Sequence, residues 1–441
     1  MAISDPRGVP LAAGEAASAL RLEAALLDML GFRGDPVGKA DAALAHDPEL
    51  VLAHCLKAHA FAFAQEPRLR PLALAAVTAG ETVAGSTHER EGLHLSAARA
   101  WAEGDPARSL ACFDTLLERY PRDVLALQFA HQADFFTGSQ DALRERPRRV
   151  LAALGTDIAG YGFAQGMLAF GLEEAGAYEE AEALGREAVT RSPTDAWAIH
   201  AVAHVLEMQG RSGEGIAWYE AREADWAEAS FFAVHNAWHL ALYHLERDDH
   251  PAALAVYDRL LRPGRRSLVL NLCDAAALLW RLHLAGVDAG ERWPELAGAM
   301  AAKAEPGCHV FNDIHLALAL AGAGRLAELE GLTTRLHALA LGGSDYAARL
   351  RAVALPAIRA AAAFARGGYG EAVILLAPTL PELGAMSGSH AQREILTRTL
   401  CEAALRDGQR AIAHDILAAQ ARCKPGSPRL ARELARCSLI L

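Results

Sequence analysis

A turn residue recurring at near-constant spacing constrains this chain more than any other feature. Gly104, Gly138, Gly176, Gly210, Asp248, Gly286, Gly324, Gly367 and Gly408 follow one another at intervals of 34, 38, 34, 38, 38, 38, 43 and 41 residues. Two of these turns carry nearly the same hexapeptide, Gly176-Ala-Tyr-Glu-Glu-Ala181 and Gly367-Gly-Tyr-Gly-Glu-Ala372, each after an apolar helical run. Pro121, Pro193 and Pro425 each stand 17 residues past a turn glycine, where a second helix must stop for want of an amide hydrogen. Seven residues before the turns stand Ala97, His131, Ala169, Ala203, Ala241, Leu279, Ala317, Ala360 and Cys401, six of the nine being alanine. Five residues after the turns, Ser109, Ala181, Gly215, Ala253, Ala372 and Ala413 are small as well. Small side chains at fixed places in a repeat are what close helix–helix contact requires.

Each unit therefore reads as helix, tight turn, helix, with no β-alternating run between. The pattern resembles the tetratricopeptide repeat, whose period is about 34 residues with Gly, Tyr, Ala and Pro at these relative places. One helix pair cannot bury its own apolar face, so stacked neighbours have to supply the core. The expectation is an all-α chain, a TPR-like α-solenoid forming a right-handed superhelix, made irregular by the longer intervals. Residues 1–441 read as a single domain: irregular capping helices over 1–90, about nine helical repeats over 91–425 and a C-terminal cap over 426–441. The register is weakest at Gly286 and poorly defined before Gly104.

Composition excludes several functions. The chain has 43 Lys+Arg against 54 Asp+Glu, a formal charge of −11, which gives no basic stripe for nucleic acid. The longest uncharged apolar stretches, such as 158–172, are too short to span a membrane and contain glycines. Seven scattered cysteines, odd in number and never in a CxxC pair, argue against a disulfide framework or thiolate zinc site. With no apolar leader at the N-terminus, the cytoplasm is the expected compartment. No Gly-x-Ser-x-Gly elbow, phosphate loop or dinucleotide fingerprint occurs, so no nucleotide cofactor is expected. Aromatics are only 6%, leaving the core to Ala, Leu and Val, yet there are 18 histidines.

The histidines are not scattered evenly. In such a repeat the first helix lines the concave face, at offsets 13, 10, 9 and 6 counted back from the turn. Nine repeats offer 36 such positions, where proportional scatter would leave about 1.5 histidines. Six are found: His94 and His200 at offset 10, His239 and His315 at 9, His204 at 6 and His235 at 13. Trp197, Trp238 and Trp280 share these positions, with Glu91 and Gln128 nearer the N-terminus. Two consecutive first helices carry His-x3-His, His200/His204 followed by Glu207, then His235/His239. Neighbouring helices of that kind would converge four imidazoles beside an aromatic wall, the composition of a small-molecule pocket.

These residues also carry a closer resemblance. The run His200 to Arg211, Asn236-x-Trp238-His239, Asp274-Ala-Ala-Ala-Leu-Leu-Trp280-Arg281-Leu, Arg90-Glu91-x-x-His94 and Trp101-x-x-Gly104-Asp105 resemble the tetratricopeptide repeat protein 38 family, with its StaR-like bacterial branch. The similarity spans roughly residues 50–330. It implies an α-solenoid with a polar, His-rich groove and supplies no reaction.

Three readings of His200, His204, His235 and His239 remain side by side. They are solvated or core-satisfied; or they ligate zinc or iron, with Glu207 or Asp313 as a carboxylate partner; or they act without metal as acid and base near neutral pH. Glu91, His94, Gln128, Trp197, Trp238, Asp274, Trp280 and His315 are the substrate-binding candidates, although Asp274 and Asp313 also read as helix N-caps. His54 and His59 read as structural, His131 as wedged between helices, and Arg144-Glu-Arg-Pro-Arg-Arg149 as a solvated charged loop. The leading expectation is an enzyme acting on a small organic molecule by hydrolysis, elimination or isomerisation, with a homodimer compatible. The alternative is a scaffold holding a peptide or protein partner. Groove positions hold one arginine, Arg398, and no lysine or asparagine, which favours the enzyme.

Overall fold

All nine residues of the turn series adopt the left-handed backbone, with φ from +62° at Asp248 to +85° at Gly104. Glycine enters that region without the Cβ penalty other residues incur, which is why it recurs here. The computed structural model describes residues 3–83, 89–264 and 267–438. Among them, nine helix pairs flank the nine turns, from Glu89–Glu103 with Pro106–Arg119 to His390–Arg406 with Arg410–Cys423. The small positions behave as the packing argument requires: Ala97, Ala169, Ala203, Ala241, Ala317 and Ala360 before the turns are all 0% exposed. A Cβ on Gly215 would lie 2.2 Å from the ring of Tyr243, so nothing larger than glycine fits there. The fold is all-α and TPR-like, and among the described residues the only β pairing is two isolated bridges.

The uneven intervals have local causes. The two 34-residue intervals contain Pro121 and Pro193, each ending a second helix with a short link to the next. Longer intervals carry extra pieces: the short helix Glu223–Trp226, a π turn at Tyr257–Leu261, and a π turn at Leu350–Ala354 that interrupts the first helix of its repeat. A 3₁₀ run at Ala377–Met386 accounts for the excess before Gly408. At Gly286 the two helices, Val269–Leu284 and Arg292–Lys303, are separated by a longer turn, which hides the small-residue signal. Before Gly104, Ala16–Leu30 pairs with Pro36–His46 and Val51–Ala62 with Arg70–Val83. There Phe32 and Gln65 take positive φ, so no glycine marks every turn.

The chain divides into two compact units, Met1–Val205 with Arg222–Ala233 and Leu206–Ala221 with Val234–Leu441. Each closes on itself through contacts far apart in sequence, beyond the nearest-neighbour stacking of a simple solenoid. In the first unit, Phe32 stacks on Trp197 with ring centroids 5.5 Å apart, and Arg33 bridges to Ser230. In the second, Trp280 Nε1 donates to Thr399 Oγ1 at 2.9 Å and Arg406 donates to the Leu284 carbonyl at 3.2 Å. The helix Val269–Leu284 thus packs on His390–Arg406, three repeats away.

The charged run at Arg144 to Arg149 is a correction: it lies inside the helix Gln140–Ala153, and Arg146 is buried against Asp134 at 2.7 Å. Charge density and Pro147 disguised it, because the partner carboxylate comes from the preceding helix. Gly171 lets its helix approach that segment, since a Cβ there would meet the Leu143 carbonyl oxygen at 2.2 Å. No helix among the described residues is long and apolar enough to cross a membrane.

Candidate functional site

The second unit gathers two carboxylate–imidazole pairs. His235 and His239 lie one turn apart on the helix Ala233–Glu246, their rings 5.0 Å apart and nearly perpendicular. His239 Nδ1 is 2.9 Å from Glu207 Oε2, and His235 Nδ1 is 2.9 Å from Asp274 Oδ2. A carboxylate only accepts, so each Nδ1 carries the hydrogen and Nε2 is the basic nitrogen of the neutral ring. His239 is buried and His235 half-buried. Trp238 lies between them in sequence and touches both, at 4.7 Å from His239 and 5.4 Å from His235. The Arg281 guanidinium sits 5.3 Å over the Trp238 ring.

Asp274 is no N-cap: its helix starts at Val269, and the carboxylate is a buried mid-helix group facing His235. Asp313 likewise lies inside Val310–Gly322, accepting from Gly307 N–H at 3.2 Å and from Tyr346 OH at 2.6 Å. Burial pushes its carboxyl up to about 6, against the pull of those two hydrogen bonds. His315 Nδ1 donates to the Phe311 carbonyl at 2.7 Å. Burial, with Arg281 adding to it, draws His315 down to about 4. Trp280 packs between Phe364 and Trp293 and donates its N–H to Thr399.

The first unit holds a second arrangement. His200 and His204 have ring centroids 4.4 Å apart. His204 Nδ1 is 3.3 Å from Glu173 Oε2, both side chains fully buried. Glu173, Glu174 and His204 each offer a ligand atom, all within 4.8 Å of one another, a donor set of the kind a divalent cation accepts. His200 stacks on Phe170 at 5.5 Å and meets Trp197 at 5.0 Å. His131 presents its ring edge to Phe170 and Trp197, wedged in the packing, and burial lowers it to about 3.

Glu91 and His94 serve elsewhere in that unit. Glu91 Oε1 accepts the Ala12 N–H at 2.9 Å, tying down the N-terminal segment. His94 bridges His59, at 3.1 Å, and Asp123, at 2.9 Å, while Arg90 Nε donates to Asp123 at 2.6 Å. Burial alone would raise Asp123, but Arg90 and His94 overcome it and hold the carboxyl well below its usual range. Gln128 is buried, 2% exposed, on the helix Val124–Thr137.

Several groups escaped the repeat register. Lys424, from the turn after the last repeat, places Nζ 4.0 Å from Glu207 and 3.8 Å from Glu394. Burial alone would raise Glu394, yet Arg398, Lys424, Arg429 and Arg281 hold it well below the carboxylate range. Glu173 and Glu174 end a first helix, outside the offsets that flagged the histidines. An acidic pair at that place was the available signal.

No family model matches the chain. It is similar at 12% identity to a protein of the structure entitled "Crystal structure of APC/C hetero-tetramer Cut9-Hcn1", over 96% of each chain with a TM-score of 0.34. A second, "Crystal Structure of P58(IPK) TPR Domain at 2.5 A", is 12% identical over 96% of this chain and 98% of that one, with a TM-score of 0.19. Likeness at this level assigns neither ligand nor partner.

Proposed function

We propose that the protein is a cytoplasmic enzyme that moves protons on a small organic molecule in an elimination, isomerisation or hydrolysis, with His239 and His235 as the working imidazoles. The observation that supports this reading is the pair of carboxylate-held histidines one helical turn apart in buried, aromatic surroundings. Glu207 fixes the tautomer of His239 and stabilises the imidazolium that forms when Nε2 takes a proton. Asp274 does the same for His235, so one ring can serve as base while the other, protonated, serves as acid. General acid–base help of this kind is worth roughly 10²–10⁴ in rate. In the first unit His200 and His204, with Glu173, are proposed for the same chemistry. Membership of the tetratricopeptide repeat protein 38 family belongs to the same proposal.

A metal-assisted version has its own support. Imidazoles that ligate metals characteristically give their second nitrogen to a carboxylate, as His239 and His235 do. Zinc or iron would be held in the second unit by His235 and His239, or in the first by Glu173, Glu174 and His204. The scaffold alternative is less favoured, because the groove positions are occupied by buried, carboxylate-paired side chains rather than by exposed cations for a peptide carboxylate.

The test uses the full chain, purified without a His-tag and incubated with a cell metabolite extract monitored by mass spectrometry. The expected result is a metabolite consumed by the wild type and spared at least about 100-fold by His239→Ala and by Glu207→Gln, both still folded. Equal consumption by the variants, or selective retention of a peptide with no metabolite consumed, would overturn the reading. Elemental analysis decides the metal version, which requires more than about 0.2 equivalents after gentle purification.

A further inference from the structure

The second unit also contains a cavity of about 320 Å³ whose lining includes neither histidine pair. Arg281, Arg398 and Arg429 stand at its buried side, and Arg432 and Arg436 toward solvent. Four of these five cations are neutralised: Arg398 by Glu394 at 3.0 Å, Arg429 by Glu246 at 3.0 Å, Arg436 by Glu402 at 2.8 Å and Arg432 by Asp248. Arg281 is not. It is 3% exposed and has no carboxylate within ion-pair distance among the described residues. Its Nη1 and Nη2 donate to the Ala277 and Ala391 carbonyls at 3.1 and 2.7 Å, while Nε is buried without an acceptor.

Its direct partners are two carbonyls and the Trp238 ring face, with Glu394 and Glu207 attracting it only from beyond ion-pair distance, and a cation so buried is costly unless an anion reaches it. Burial first, then Arg398, pulls the guanidinium below its ordinary value, as a missing counter-ion would. Arg429 also pairs with Glu433 at 2.8 Å, so the carboxylates around the cavity already match its five arginines in number and leave room for no more than a singly charged anion at Arg281. A dianion would meet the carboxylates of Glu402 and Glu433 on the same wall. Besides His250, the remaining lining is apolar, with Leu245, Leu284, Ala285, Cys401 and Leu405. The volume is at the small end of ligand sites, which run from roughly 300 to 1,000 Å³.

We propose that this cavity binds a small organic monocarboxylate, its carboxylate paired with Arg281 and its short apolar body against Leu245, Leu284 and Leu405. The site stands independently of the histidine chemistry. Calorimetric titration of the full chain with sodium benzoate and sodium hexanoate tests it, with benzyl alcohol and inorganic phosphate as controls. Saturable binding of the carboxylates alone is expected, with a change in tryptophan fluorescence through Trp238. Arg281→Met should weaken binding at least tenfold and Arg281→Lys less. Leu405→Trp, which fills the cavity but keeps the cation, should also block it and serves if Arg281→Met fails to fold. Failure of both carboxylates to saturate by roughly 10 mM would overturn the proposal. Equal binding of benzyl alcohol, tighter binding of phosphate, or undiminished binding in the two blocking variants would do the same.

Discussion

Lowering the pH from 7 to 5 tests how the protein carries its buried imidazoles. Burial is the largest cause of the shift in each: it draws His131 to about 3, His309 and His315 to about 4, and His59 well below 6.5. An unfolded histidine takes its proton near 6.5. Below that pH the unfolded chain binds protons the native chain refuses, so this stability is complete above 6.5 and is lost as the pH falls toward each folded value. At roughly 1.4 kcal/mol per pH unit, His131, His309 and His315 each cost about 2 kcal/mol at pH 5, together about 6 kcal/mol, and His59 acts in the same direction. Buried carboxyls oppose them, Asp195 and Asp313 most and Asp134 in the same direction. Burial raises Asp195 to about 7 and Asp313 to about 6, so the native chain holds those protons and gains on acidification. Between pH 7 and 5 they return about 3 and about 1 kcal/mol. The histidines win, and the expected net loss from these groups is about 2 kcal/mol, a sizeable part of the 5–15 kcal/mol typical of a fold. Urea unfolding followed by far-UV circular dichroism at pH 7, 6 and 5 measures it. His131→Phe should remove about 2 kcal/mol of the loss, since an apolar ring fits beside Phe170 and Trp197. A wild type that loses under about 1 kcal/mol, or a variant that falls in parallel with it, would refute the reasoning.

Three further outcomes are expected. Gly171→Ala should destabilise by about 1–3 kcal/mol in urea titrations, because its Cβ would strike the Leu143 carbonyl. Asp248→Gly should stabilise by about 1 kcal/mol, since Asp248 is the one turn residue of the nine that carries a side chain at positive φ. Its ion pair with Arg432 is largely exposed and adds little. Arg429→Met should cost about 3–5 kcal/mol by thermal melting, because it strands the buried carboxylates of Glu246 and Glu394.

Much of the fold was legible because helix pairing is a local matter. The turn glycines, the alanines seven residues earlier and the prolines at 17 residues each report a constraint inside one repeat. The register faded where the constraint was met by another residue, as at Phe32 and Gln65, or where a long turn intervened, as at Gly286. Arg146 and Asp274 were misread for a related reason: each takes its meaning from a partner on a neighbouring helix. The sequence singled out the histidines themselves, but Lys424, Glu394 and Arg281 gave no periodic signal.

The sequence by itself determined the helix–turn–helix repeat and placed His200 with His204, and His235 with His239, on single helix faces. Spacing of four residues along an α-helix does this whatever the surroundings. Only the tertiary structure decided which carboxylate meets which imidazole and how each unit closes. Glu207 reaches His239 across 32 residues, Trp280 reaches Thr399 across 119, and Ser427 reaches Glu246 across 181. Such meetings depend on small rotations accumulated from repeat to repeat, where one π turn or added link shifts every later residue. No fixed offset along the chain records that sum.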